Sequence, residues 1–490
     1  MAKSVLIYPR DSHAFANAIG IGPTNLENHH ISSFAFSNPD DKKVLAELAA
    51  SKNVIGIFVR GKYGFWDDLQ GLQEGKPEDA GLVAVVPKPL YFKKEKFEHN
   101  FDLIIYYDVV VYQTFVRKVL FPNLRGVVDE IVNIVPKEKI RLIHTDQLSM
   151  TEVGLSRQQH GLKGAYPEDI DRLCRKDRVA QIAQKAGIPT AKTVFLDFTK
   201  PHSYDELLGK IQKEIGIFPM FAKPNRMAGS IGIAKIENME ELEKWLGDRL
   251  GDAVPMPYVI QEFIKGNEFG IVVLLLPDGS WKPLVVHLFH GTTFQEAFLK
   301  GKPLIVAAET LEDAVNGPLP KLDTFTQKVI DAFNPVQPQI FFVQGFQLSP
   351  GTDQYVFNEI NYRPCGDRVN AVLYETCGIK LYTALALAHI VPNYRPIPDS
   401  QWNPQIASLV FYAFQKGILQ SHNHALLTAN VKSRIEVEWL KNPGDQIQEP
   451  VKIANALVRF KLYSKSKEER DADLEWIREN WNPDVAKNLV

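Results

Sequence analysis

The sequence predicts an α/β chain that turns to α+β in its central lobes, on three observations. Within the first 150 residues, apolar runs at Val5 to Tyr8, Val54 to Val59, Leu103 to Tyr107 and Arg141 to His144 alternate with helical stretches, the order of a parallel sheet with crossover helices. From residue 176 onward, single helices are interleaved with apolar strand-like runs, among them 217–224, 258–264 and 341–367. The third observation is size: 490 residues, 45% apolar and 23% charged, bury large cores. At ~100–200 residues each, they divide into about three domains.

Taken in order, the N-terminal stretch MAKSVLIYPRDSHAF ends its apolar run at a proline and charges, so it reads as a first strand rather than a secretion signal. No GxGxxG follows it, and a dinucleotide fingerprint is absent. Residues 151–171 read as a helix, a glycine-bounded turn and a linker. The next helix, Lys176 to Ala186, places Val179, Ile182, Ala183 and Ala186 on one stripe and stops at Gly187, with Pro189 beyond. Lys176 opens that helix, where the dipole disfavours a cation. It is either solvated or aimed at an anion that shares the helix end.

Ile217 to Pro224 reads as a buried strand with Lys223 near its end, followed by a turn, Asn225 to Ile233. A buried ammonium needs a partner, and Gly229-Ser230-Ile231-Gly232 offers backbone N–H groups to phosphate. A hairpin turn with a snorkelling lysine is the plainer alternative. Met239 to Leu246 is a helix capped by Asn238, with Glu241 in the capping-box position. Tyr258 to Ile264 is an apolar strand that runs through a short turn into Glu268 and Leu276. Such a turn presents backbone groups to an adenine edge, and Glu262 or Glu268 can accept from a purine amine or ribose hydroxyls. His287 and His290, in a strand and turn ending at Thr293, either line an acceptor pocket or belong to core and surface.

Phe341 to Asp367 reads as two strands. Residues two apart share a face, so Glu359, Asn361 and Arg363 form a row, while Phe357, Ile360 and Tyr362 turn away from it or flank it. Oxygen ligands of this kind suit Mg²⁺ or Mn²⁺ shared with nucleotide phosphates, and a guanidinium suits an anionic substrate. A solvated strand face alternates in the same way. Cys365 in the following loop reads as a packed residue rather than a nucleophile.

Composition narrows the partners. With 56 basic and 58 acidic side chains the net charge is −2, which argues against nucleic acid or an anionic membrane as the main partner. No apolar run approaches membrane-spanning length. Cys174, Cys365 and Cys377 form neither metal-ligand spacing nor a disulfide framework, so a reduced, cytoplasmic setting is expected.

The segments RLCRKDRVAQIAQKAGIPTAKT, FPMFAKPNRMAGSIGIAKI, YVIQEFIKGNEFGI and VFNEINYRPCGD, in this order and spacing, resemble the ATP-grasp superfamily over most of the chain. HTDQLSMTEVGLSRQQHGLKG and the segment around Lys441 to Ile447 make the carboxylate–amine ligase branch, typified by L-amino acid ligases and carnosine synthase, the most similar. The resemblance implies an ATP-grasp fold with an N-terminal parallel-sheet domain over 1–150 and a linker helix region over 151–175. A small lid lobe over 176–260, a large lobe over 261–400 and a closing lobe over 401–490 would follow. It also implies that Lys176 and Lys223 hold ATP phosphates, that Gly229, Ser230 and Gly232 belong to a phosphate-covering loop, and that Glu262, Phe263, Ile264 and Glu268 contact the nucleotide. Glu359 and Asn361 match Mg²⁺ ligands. Arg363 matches the arginine that holds the substrate carboxylate or stabilises an acylphosphate, with Gly366 and Asp367 beside it in the substrate loop.

The family's second acidic metal ligand has no counterpart: Gly345 or a glutamine stands there, leaving Gln344, or Gln347 in another register, to ligate. Three readings follow. The first is an ATP-dependent ligase joining a small carboxylate to an amine, with homodimerisation implied by resemblance. The second is a carboxylating or carbamoyl-type enzyme, and the third is an ATP-binding regulatory protein that has lost turnover.

Overall fold

The computed structural model describes residues 39–60, 69–87, 97–107, 110–111, 119–120, 122–226, 232–253, 255–291, 301–365, 369–411, 415–447 and 456–486. The expected strand at Val5 to Tyr8, and Gly229, Ser230, Gly366 and Asp367, lie outside the described residues. Strands β1 (Val54–Val59), β2 (Ala80–Pro87) and β3 (Leu103–Tyr107) precede a two-residue antiparallel pair, β4 (Val110–Val111) and β5 (Val119–Leu120), and then β6 (Ile140–His144). The four longer strands make a parallel sheet in the order β3-β2-β1-β6. Sequence reading passed over β2, which is buried at every position. Its unbroken apolar run is what a strand covered on both faces requires.

One face of this sheet, through Ile55, Ile57, Val83, Val85 and Leu142, packs in one cluster with Leu45 of the helix Pro39–Ser51 and Leu124 and Ile131 of the helix Pro122–Ile134. The other face, through Phe58, Leu82, Ala84 and Val86, meets the helix Leu381–Ile390, in which all but Thr383 and His389 are buried. Gly56 permits that contact, because a Cβ there would lie 2.8 Å from Ile390 Cγ2.

The next sheet is antiparallel: β7 (Thr193–Asp197), β8 (Met220–Pro224), β9 (Ala234–Ile236) and β10 (Pro257–Glu262), in the order β7-β10-β8-β9. The helices Tyr204–Glu214 and Met239–Leu250 cover one face with Leu207, Ile211, Leu242 and Leu246, against Val194, Met220, Ala222 and Ile260. Strand alternation then sends Phe221, Lys223 and Gln261 to the opposite face. Three local expectations change. The strand expected from Ile217 begins at Met220, because residues 217–219 belong to the turn entered through Gly216 at φ 67°. On the helix Lys176–Lys185 the buried stripe is Val179, Ala180 and Ala183, and Ala186, at the C-cap, is exposed. Asn238 accepts from Glu241 N at 3.0 Å as a cap should, but the Glu241 carboxylate reaches Glu237 N, one residue before the capping-box target.

Strands β11 (Asn267–Leu275), β12 (Trp281–Phe289), β13 (Leu304–Glu309), β14 (Gln339–Gln347), β15 (Tyr355–Asn361) and β16 (Ile406–Phe411) build most of an eight-stranded antiparallel sheet. After β17 (Gly417–Ser421) come β18 (Arg434–Trp439), β19 (Gln446–Ile447), β20 (Val458–Ser464) and β21 (Asp484–Ala486). Of these, β18 and β20 complete the large sheet, ordered β15-β14-β11-β12-β13-β16-β20-β18, while β19, β17 and β21 form a small one. Sheet pairing therefore runs on through residue 400. One face of the large sheet packs Phe269, Ile271, Val343 and Phe357 against the helices Leu322–Phe333 and Lys176–Lys185. The other joins Val272, Leu274, Val285 and Phe342 to the helix Leu381–Ile390 and the N-terminal sheet in one continuous core. Among the described residues no helix is long and apolar enough to cross a membrane.

Candidate functional site

The edge pair β14–β15 carries the site, and a β-bulge sets its geometry. Gln344 faces Glu359 while Gly345 faces Phe357, so Asn358 is the extra residue. Tyr355 and Phe357 before the bulge and Ile360 and Tyr362 after it all lie in the same aromatic cluster, although strict alternation would separate the two pairs. The bulge resets the alternation, and Glu359 and Asn361 thereby leave the core face. The linker after the lysine helix is stitched to this point: Phe357 N donates to Pro189 O at 2.7 Å, and Thr190 Oγ1 donates to Phe357 O at 3.1 Å.

The expected row forms on the released face. Asn361 Nδ2 donates to Gln344 Oε1 at 3.3 Å, and Arg363 Nη2 donates to Asn361 Oδ1 at 3.2 Å. Gln347 does not join it, because its amide donates to Pro318 O and Thr352 O, each at 2.7 Å. Glu359, Gln344 and Asn361 thus offer one carboxylate and two amide oxygens, a hard donor set that fits Mg²⁺ when phosphate oxygens complete the shell. Among the described residues no three His, Cys, Asp or Glu side chains converge as ligands.

Lys223 reaches this edge from the β7-β10-β8-β9 sheet. Its Nζ donates to Asn358 Oδ1 at 3.1 Å, so the bulge residue joins the two sheets. The lysine is 6% exposed. Burial pushes its pKa down to about 8; Glu359 and Glu268 oppose that shift and Lys176 adds to it, which puts all three in its electrostatic neighbourhood. Burial also lowers Lys176, against the pull of Glu359. Lys176 is fixed at its helix start by Asn225, whose carbonyl accepts from Lys176 N at 3.1 Å and whose side chain exchanges two hydrogen bonds with Asp177.

Glu262, Phe263 and Ile264 line a narrow cleft with Ala191, Phe221, Lys223, Gln261, Phe346 and Asn358. Glu262 Oε1 accepts from Lys192 N at 2.9 Å, and Phe263 N donates to Pro219 O at 3.1 Å. The Glu262 carboxylate therefore ties the chain entering β7 to the end of β10, and Lys235 Nζ sits 4.6 Å over the Phe263 ring. Gly232, at φ 70°, closes the β8–β9 hairpin: a Cβ there would lie 2.9 Å from Pro224 Cγ. Cys365 is buried and its thiol is pushed up to about 12 by burial, which suits a packed residue rather than a nucleophile.

The two histidines stand apart from the row. His287 lies in line with it across the sheet, through Gly270 and Gln344 to Glu359, but the Phe342 ring fills the space over Gly270, where a Cβ would approach Phe342 Cε2 to 2.4 Å. His287 is fully buried edge-on to that ring, and burial pushes its pKa down to about 3. His290 lies among Asp471, Glu475, Arg470 and Arg478 of the helix Lys467–Asn480, and burial lowers its pKa too. Sequence reasoning missed Asn358, Gln261, Phe346 and Gln147. All four lay within segments already singled out, but none stood out as a site residue, and strict alternation aimed Asn358, adjacent to Glu359, at the wrong face.

Residues 182–294 match the family model described as the D-ala D-ala ligase C-terminus. A D-alanine–D-alanine ligase of Bacillus velezensis is 37% identical over 106 residues, covering 21% of this chain and 28% of that protein. The enzyme of the same name from Corynebacterium jeikeium is 29% identical over 192 residues, covering 39% and 48%. The chain thus spans under half the length of these two relatives. Among solved structures, the L-amino acid ligase from Bacillus licheniformis superposes with a TM-score of 0.58 at 13% identity, covering 89% of this chain and all of that one. N5-carboxyaminoimidazole ribonucleotide synthetase from Thermotoga maritima gives 0.55 at 14%, covering 86% and 97%.

Proposed function

Starting from the chain's membership of the ATP-grasp superfamily, we propose that it is an ATP-dependent carboxylate–amine ligase working through an acylphosphate. The observation that carries this reading is the bridge from Lys223 to Asn358, which sets a buried ammonium of the lid sheet beside the Glu359, Asn361 and Arg363 row. ATP lies in the cleft at Glu262 to Ile264, its phosphates between Lys176 and Lys223, with Glu268 in the electrostatic neighbourhood of Lys223. Glu359, Asn361 and Gln344 would hold Mg²⁺, which when bound would neutralise phosphate charge. Arg363 receives the substrate carboxylate, and Lys223 offsets charge developing on the transferred phosphoryl group. An amine then attacks the acylphosphate carbon, phosphate leaves, and an amide forms. Lobe closure keeps water from that intermediate.

The test is ADP release with ATP and Mg²⁺ against pools of small carboxylates and amines. Release that requires both is expected. Release with bicarbonate alone would replace this reading with a carboxylating one. ATP binding without release under any pool would instead favour a regulatory protein.

Lys223 adds a pH signature. Its charge is lost as pH rises through about 8 in the free protein, and a bound triphosphate favours the charged form and raises that value. ATP binding is therefore expected to take up protons near about pH 8 and to weaken as pH rises further. Calorimetry in buffers of different ionisation enthalpy measures this, and proton-neutral binding through that window would remove Lys223 from the phosphate site.

A further inference from the structure

Arg363 lies beyond the last residue of β15, on a segment whose loop continues outside the described residues, yet the residue is only 8% exposed and its guanidinium is held on three sides. Two of the three contacts are local: Nη1 donates to Pro364 O at 2.8 Å and Nη2 to Asn361 Oδ1 at 3.2 Å. The third comes from a helix of the N-terminal part of the chain. Nε donates at 2.9 Å to Oε1 of Gln147, which opens the helix Gln147–His160 directly after β6. A guanidinium has five N–H bonds, so two, one on each Nη, have no partner among the described residues.

The same junction grips the backbone beside the arginine. His144, the last residue of β6, is fully buried, and its Nε2 lies 3.0 Å from the carbonyl oxygen of Tyr362. The Gln339 amide nitrogen lies 2.9 Å from the same Nε2, so the ring's tautomer sets the pairing: with Nε2–H donating to Tyr362 O, that amide turns to Nδ1 at 3.5 Å and to the His144 carbonyl at 3.4 Å. Gln147 is fixed in turn, because Asp146 Oδ1 accepts from Ser149 N at 2.9 Å and so caps the helix on which it sits. The N-terminal sheet thus ends in two consecutive clamps, one on the main chain at residue 362 and one on the side chain at residue 363.

We propose that Gln147 is a positioning residue for Arg363, anchored by the His144 clamp. The inference rests on reading Arg363 as the arginine that receives the substrate carboxylate. Holding Nε from behind removes rotation about the last side-chain bonds, so the two remaining N–H bonds face the carboxylate as a fixed fork instead of searching for it. The N-terminal domain then contributes to carboxylate recognition without touching the carboxylate.

A double-mutant cycle tests this with Gln147→Met, which keeps the length and apolar stem but loses the acceptor, and Arg363→Lys, which removes Nε–H. Gln147→Met is expected to raise the carboxylate KM about tenfold or more, with the ATP KM and the melting temperature unchanged, and to add little in the Arg363→Lys background. A purely structural role would instead move both KM values and the melting temperature together, and would overturn the proposal. If Arg363→Lys raises the carboxylate KM while Gln147→Met does not, or the two effects add, the positioning role fails and the ligase reading stands. An unchanged KM in Arg363→Lys would sink the reading of Arg363 and this inference with it. Should Arg363→Lys show no turnover, the split between carboxylate and ATP KM in Gln147→Met decides.

Discussion

Glu359→Ala is expected to lower kcat for ADP release by about 10³-fold or more while the protein stays folded. Two roles fall together. Glu359 is the one carboxylate in the oxygen set it shares with Gln344 and Asn361, so its loss leaves a divalent cation with neutral amides alone. It also opposes the downward shift of the half-buried Lys176 and the buried Lys223, so its loss lets both ammonium groups give up protons more readily. Glu359→Gln separates shape from charge and is expected to fall almost as far. Steady-state kinetics with Mg²⁺ titration reads both variants, and turnover within tenfold of the parent would remove Glu359 from the site.

The second large effect concerns the acid that the family pattern leads one to expect on β14. Gly345→Asp is expected to destabilise the fold by about 3 kcal/mol or more, through overpacking and a buried carboxylate, and to add no metal affinity. Gly345 faces Phe269 across the sheet, and a Cβ there would stand 2.8 Å from both Phe269 Cζ and Val356 O, in the core that holds Tyr355 and Phe357. The position opposite Glu359 is Gln344. Gln344→Glu is therefore the substitution expected to tighten Mg²⁺ with little cost to the fold. Urea midpoints and metal titrations compare the two, and the idea fails if Gly345→Asp folds normally and binds metal more tightly than Gln344→Glu.

Much of this was legible before any coordinates, for reasons that differ by element. The N-terminal strands announce themselves because both faces of that sheet are covered, and β1 and β3 read as apolar runs with turns around them. β2 carried the same signal and was passed over. The Glu359, Asn361 and Arg363 row was readable because spacing by two is local information. Asn358 was not, since a bulge is set by the pairing of β14 with β15 and leaves no mark in strand periodicity. Gln147 was beyond reach for a different reason: it lies 216 residues before its partner Arg363, and only the packing of the N-terminal sheet against the large one brings them together.

The helix Leu381–Ile390 bears on how this chain could be recombined. It is encoded between β15 and β16 of the large sheet, yet its surface is shaped to two partners at once, with Ile390 seated on Gly56 of β1. A chimaera that exchanges the N-terminal sheet for that of a relative would have to import residues 381–390 from the same donor, although they lie more than 200 positions downstream. The unit of inheritance for this half of the molecule is discontinuous in the gene, and a recombination breakpoint anywhere between them would separate a seat from its occupant.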